Sequence, residues 1–166
     1  MASQGERGVS MSRADSIARF LEHARVAYEL VEHEPAMSAA AEARVAGRSP
    51  DEVAKTVVLH DGDAYVLAAI PASRRLDLHK LRELLGATRQ LRLASEEEIA
   101  REFPAFEVGA VPPFGPVVPA AEVIDRALVA HERILCAAGD HRHSVLLDPR
   151  EIVRITAAAT ADISED

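Results

Sequence analysis

The feature that most constrains the fold is a pair of apolar runs closed by a tight turn. Lys55-Thr56-Val57-Val58-Leu59-His60 is rich in β-branched residues, which suit a pleated, half-buried surface. Asp61-Gly62-Asp63 follows, and residues 64–70 form a second apolar run that Pro71 ends. This pattern predicts a β-hairpin. An isolated hairpin is marginal in water, so these strands must pair with further strands and be covered by other elements.

The flanking sequence supplies those elements. Ser12 and Asp15 form a capping-box pattern, and Ile17, Phe20, Leu21 and Ala24 follow at helical spacing, which predicts a helix over 13–25. A short strand is predicted over 28–33. A helix capped by Ser38 is predicted over 39–46, stopped by Gly47. Ser49-Pro50-Asp51-Glu52 starts a single helical turn. Asp77 caps a helix through residue 85, with Leu78, Leu81, Leu84 and Leu85 on one face. A strand over 89–93 precedes a second capping box, Ser95 with Glu98, and a helix to about residue 102.

Short strands are predicted at 117–118 and 123–125. Residues 133–138 and 142–147 form a second hairpin around Gly139-Asp140, and Pro149 opens a last helix through residue 155. Helices and hairpins interleave without strict βαβ alternation. The expected fold is α/β of the α+β kind: one domain with a mixed, largely antiparallel sheet and surrounding helices. Its expected limits are 12–157, with a flexible tail at 1–11 and a flexible acidic tail at 158–166.

At 166 residues, 48% of them apolar, the chain can bury a sizeable core as one domain. No run of 18 apolar residues is present, so no membrane association is expected. The net charge of −8 counts against general nucleic-acid binding, and DNA is not an expected partner. Arg74, Arg75, Lys80, Arg82, Arg89 and Arg92 cluster locally; solvated faces are the ordinary reading, and phosphate contact is the minority one. The one cysteine, Cys136, has apolar neighbours and reads as a buried, inert thiol. A reducing cytoplasmic location is compatible with that.

Chemistry-bearing patterns are few. There is no G-x-S-x-G elbow, P-loop, G-x-G-x-x-G or H-E-x-x-H motif, so the corresponding hydrolase, kinase, Rossmann and zincin readings have no support. Of the 19 basic residues only Lys55 and Lys80 are lysines. A lysine at the head of an apolar strand offers a compact ammonium that can anchor a phosphate or carbonyl; a snorkelling lysine is the bland alternative.

The stretch Gly109-Ala110-Val111-Pro112-Pro113-Phe114-Gly115 brackets two prolines and an aromatic residue with glycines. Fixed φ angles at the prolines and freedom at the glycines predict a stiff, preset loop. His141 and His143, two apart on a predicted strand, would share a face beside Asp140. They read as a metal half-site or as pocket-lining histidines. Zinc needs three or four ligands and no others are evident, so no metal is expected. His60 and His79 read as structural or exposed.

The run Val53-Ala54-Lys55-Thr56-Val57-Val58-Leu59, the loop from Gly109 to Gly115 and the Ala138-Gly139-Asp140 turn occur in this order. Together they resemble the YbaK family, the domain also found inserted in bacterial prolyl-tRNA synthetases. The resemblance covers about residues 12–155 and implies trans-editing: hydrolysis of the ester that joins a wrong, small amino acid to a transfer RNA, often the proline one. It implies no metal, cofactor or covalent nucleophile, and a catalytic role for Lys55 at the terminal adenosine end of the substrate.

It also implies a substrate-binding role for Gly109, Ala110, Val111, Pro112, Pro113, Phe114 and Gly115, with the backbone N–H groups not lost to proline holding the carbonyl oxygen as charge develops. Gly139, Asp140, His141, His143 and Ser144 are the candidates for lining the amino-acid pocket. The implied partners are the acceptor end of an aminoacyl-tRNA and an aminoacyl-tRNA synthetase. A non-catalytic module that binds aminoacyl-tRNA or a synthetase is the alternative, favoured if side chains close the pocket.

Overall fold

The computed structural model describes residues 12–62, 64–86, 90–114 and 120–166. The expected hairpin is its centre. Strand β2 (Ala54–Asp61) pairs antiparallel with β3 (Ala64–Pro71), with Val58 opposite Leu67. On the free edge of β2 lies the two-residue β5 (Arg92–Leu93), antiparallel. Beyond β3 lie β6 (Ala121–Asp125) and β9 (Ala159–Ala161), both parallel, which gives a five-stranded mixed sheet in the order β5-β2-β3-β6-β9.

Alternation along β3 explains why it sits in the middle. Leu67 and Ala69 face one core, while Val66, Ala68 and Ile70 face another. Side chains two apart share a face, and here both faces are covered. Strand β2 does the same with Val58 and Leu59, and β6 with Ile124 and Val123.

A second sheet is antiparallel: β1 (Tyr28–Glu32), β8 (His143–Leu147) and β7 (Ile134–Ala137), in the order β1-β8-β7. A single parallel bridge between Val53 and Leu135 joins it to the first sheet. The larger core fills the space between the two sheets, helix α1 (Arg13–His23) and helix α6 (Pro149–Thr156). The fold is therefore the expected mixed α/β domain.

Caps fall where the side chains predict them. Ser12 and Asp15 form the capping box of α1, and Ser95 and Glu98 that of α4 (Glu96–Glu102). Ser38 caps α2 (Ala39–Val45), Asp77 caps α3 (Leu78–Leu85) and Asp148 caps α6. The turn at Pro50–Glu52 is a 3-10 helix. Helix α5 (Arg126–Val129), capped by Asp125, was not expected. The strand expected over 89–93 is reduced to β5, and residue 89 lies outside the described residues, as do Asp63 of the first turn, the strand at 117–118 and the tail at 1–11.

The C-terminal tail is a correction. Residues from 158 onward form β9, on the edge of the large sheet, and β10 (Ser164–Glu165), antiparallel to β4 (Arg75–Leu76). The cause is Ile163, fully buried in the second core with Leu81 and Val123. Its N–H donates to Asp125 Oδ2 at 3.1 Å, and its carbonyl accepts from Asp77 N at 2.8 Å. Acidity hid this role: Asp162 pairs with Lys80 at 3.0 Å.

Candidate active site

A cavity of about 210 Å³ opens beside the head of β2. Ala54, Lys55 and Thr56 form one wall, Met37, Ser38, Ala39 and Glu42 a second, and Gly109, Val111 and Ala137 the third. Each wall follows from a local rule. Ser38 accepts from Ala41 N at 3.1 Å and so starts α2. Glu42, four residues on, then falls on the same helix face as Ser38. Lys55 follows the Val53 bridge that joins the two sheets. The Gly-Pro loop is tied to the second hairpin by Glu107 N to Gly139 O at 2.9 Å and Gly139 N to Ala110 O at 3.1 Å.

The loop expected to be stiff points inward. Ala110, Val111, Pro112, Pro113 and Phe114 are all buried, and only Gly109 and Val111 reach the cavity. Phe114 is fully buried and packs on Phe20 with ring centroids 6.0 Å apart. Gly115 lies outside the described residues. The Ala110 N–H is spent on Glu107 O at 2.9 Å, whereas those of Gly109 and Val111 find no acceptor among the described residues. Two residues of the cavity wall thus carry backbone donors with no acceptor among the described residues.

Gly109 has φ +88°, and a Cβ there would lie 3.2 Å from Met37 O and 3.4 Å from His141 Cε1. Gly109→Ala is therefore expected to strain the backbone by ~1–3 kcal/mol and to displace that wall. A fall in activity larger than the fall in melting temperature explains would bear this out; unchanged activity would contradict it.

Lys55 is exposed at the rim, and its ammonium forms no ion pair with a described residue. It also lines a second, more open cavity of about 300 Å³ with Val57, Arg75, Leu76, Leu78 and Leu93. At the floor of the first cavity Glu42 is only 6% exposed. Burial pushes its carboxyl up to about 7, against a smaller lowering by the Ser144 hydrogen bond.

Residues 33–155 match the model of the aminoacyl-tRNA editing domain. The chain belongs to that family. The match contains every residue of the first cavity. The chain is 24% identical over 156 residues to the prolyl-tRNA editing protein ProX of Acetoanaerobium sticklandii, across 90% of this chain and 94% of that one. Among solved structures it is similar to a candidate trans-editing enzyme for prolyl-tRNA synthetase (TM-score 0.79, 28% identity, 95% of this chain and 100% of that one). It is also similar to hypothetical protein APE2540 (TM-score 0.81, 27% identity, 90% and 99%).

The second hairpin of the editing domain departs from expectation. His141 is in the turn and does not share a strand face with His143. Its carbonyl accepts from Ala36 N at 2.9 Å, and its ring packs Nδ1 3.1 Å from Ala36 O and Nε2 3.6 Å from Glu107. Asp140 Oδ1 accepts from the N–H groups of Arg142 and His143, both at 2.8 Å, and the Asp140 carboxylate holds His143 Nδ1 at 2.9 Å. Asp140, His141 and His143 thus build the turn and do not line the cavity.

Gly139 does not line it either; with φ +95° it packs against Arg13 and Phe106. Ser144 is fully buried behind the cavity. Among the described residues no group of three or more His, Cys, Asp or Glu side chains is arranged to hold a metal ion.

The basic cluster is mostly engaged within the fold. Arg92 is bidentate to Glu98, Lys80 pairs with Asp162, Arg82 donates to Leu91 O, and Arg74 and Arg75 face Asp166 and Glu165. Only Arg75 of this set also lines a cavity with Lys55. Cys136 is buried, and its thiol is pushed well up by burial and by the charges of Glu42 and Glu122. No helix among the described residues is long and apolar enough to cross a membrane.

Proposed function

We propose that this editing domain hydrolyses the ester between a small amino acid and the 3′ end of a transfer RNA, acting in trans. The observation that carries the reading is the cavity itself: it is open, and Lys55 lines it together with Gly109 and Val111, whose N–H groups have no acceptor among the described residues. At about 210 Å³ it has room for a small side chain together with water. A second, hydrolytic site of this kind supplies the discrimination that a synthetase pocket lacks, where one methylene is worth only ~1–3 kcal/mol.

In this reading the amino acid enters the first cavity and the terminal nucleoside lies toward the second. Apolar walls and the Arg75 guanidinium there suit a base face. The Lys55 ammonium, at the rim common to both, holds the adenosine end and fixes the ester. As water attacks, the Gly109 and Val111 N–H groups receive the charge that develops on the carbonyl oxygen, an oxyanion-hole role. In this reading the nucleophile is water: Cys136 and Ser144 are fully buried and outside the cavity lining, whose own hydroxyls are Ser38, which caps α2, and Thr56.

The names borne by ProX and by the trans-editing neighbour support the proline transfer RNA as carrier. The test is a panel of transfer RNAs mischarged with alanine, cysteine or serine, on the proline and other acceptors. Release of one amino acid well above the spontaneous rate supports the reading. Spontaneous rates throughout would overturn it and favour a binding module.

A further inference from the structure

We propose that Glu42 is the catalytic base of this site: its carboxylate takes the proton of the attacking water, while Ser144 and His33 hold it in position. The inference rests on the hydrolytic reading above and adds a residue to it. Among the described residues Glu42 is the one acidic side chain lining the cavity that also contains Lys55 and Gly109. Its Oε2 accepts a very short hydrogen bond from Ser144 Oγ, and Oε1 has no protein partner among the described residues. One oxygen is therefore pinned and the other is left for water.

The hydrogen bonds behind it form a chain. Ser144 has one proton, and it goes to Glu42 when that residue is ionised. His33 Nε2 lies 2.8 Å from Ser144 Oγ and its Nδ1 lies 2.7 Å from Glu34 O, which holds the ring and the serine in place. Ionised Glu42 thus keeps a hydrogen-bond donor behind it. That offsets part of the cost of a buried carboxylate, which without a partner is severe.

Other charged or titratable groups near Glu42 come from each neighbouring element: Lys55 at the rim, Cys136 behind it, and the His141–Glu107 pair beyond Gly109. Burial holds the Glu42 carboxyl near 7, where a base is both ionised and basic enough to act at neutral pH.

The step balances. The water oxygen bonds to the ester carbonyl carbon and its proton passes to Glu42. The carbon–oxygen bond to the ribose then breaks, and Glu42 returns the proton to the departing ribose oxygen. Free amino acid and intact ribose hydroxyl result, and Glu42 is again a carboxylate.

The experiment measures single-turnover deacylation of the substrate found with the mischarged panel, against pH. Wild type is expected to lose rate below an apparent midpoint near 7. Glu42→Gln should lose ~10²–10⁴-fold in kcat with KM little changed, and its residual rate should lack that acid limb. Ser144→Ala should move the limb to higher pH, because the carboxylate loses the hydrogen bond that lowers it; an effect on stability alone would leave the limb in place.

Wild-type kcat in folded Glu42→Gln would overturn the inference while leaving the deacylase reading intact. A wild-type rate flat over about pH 5.5–8.5 would overturn it even if the variant fails to fold. Wild type inactive on the whole panel would remove the deacylase reading, and this inference with it.

Discussion

Phe114→Ala is expected to lower folding stability by ~3–5 kcal/mol, the range for deleting a buried aromatic ring. Phe114 is among the largest fully buried side chains. It stands at the end of a loop that otherwise relies on two backbone hydrogen bonds to the second hairpin. Its ring packs in the larger core with Phe20, Val111 and Ile17, so the loop is held from inside as well as by its prolines.

Removing the ring leaves a void and frees the segment that presents Gly109 and Val111 to the cavity. Chemical denaturation reads the stability loss. Deacylation at a temperature where the variant is still folded should fall as well, because the N–H groups lose their fixed aim. Phe114→Leu, which keeps much of the volume, should recover most of the stability. A loss below ~1 kcal/mol for Phe114→Ala would show that the core does not anchor the loop.

The second large effect is a pH dependence of stability traceable to Glu42. Its folded value, about 7, lies above the ordinary 4.5. A group raised on folding contributes stability that is fully present below its unfolded value and lost as pH rises through the folded one. The window therefore opens near pH 4.5 and closes just above 7. At about 1.4 kcal/mol for each pH unit between the two values, the contribution lost is roughly 3 kcal/mol.

Ion-paired carboxylates act in the opposite direction and at lower pH. Glu98 is held down to about 2 by Arg92 and the Ser95 cap, so its contribution is lost as pH falls through that value. Comparing wild type with Glu42→Gln cancels such terms. Denaturation at pH 5 and pH 8 is expected to show wild type losing roughly 3 kcal/mol relative to the variant. A constant difference between the two proteins across that range would contradict the assignment of a buried, raised carboxyl.

Much of the fold is legible before any coordinates. The β2–β3 hairpin, both capping boxes and the caps at Ser38, Asp77 and Asp148 are local signals, and local physics decides them. The C-terminal strands are not legible in this way. Ile163 is a lone apolar residue among acids, and only the distant partners Asp125 and Asp77 make it a structural residue.

The site is legible in part. Lys55 and Gly109 stand out by residue type and do share a cavity. Glu42 does not stand out, because an acidic residue in an alanine-rich helix looks like a solvated one. The available signal is its position four residues after the Ser38 cap, on the face that turns inward. His141 and His143 mislead for a related reason. Period-two spacing implies a shared face only inside a strand, and Asp140 bends His141 into a turn.

The most direct measurement of the central claim is single-turnover deacylation by Lys55→Ala, beside wild type, on the mischarged transfer RNA that wild type hydrolyses. The account predicts a loss on the order of 10²-fold or more with an unchanged circular dichroism spectrum, since the Lys55 ammonium is exposed and holds no described residue in place. Wild-type-like release of the amino acid by that variant would contradict it.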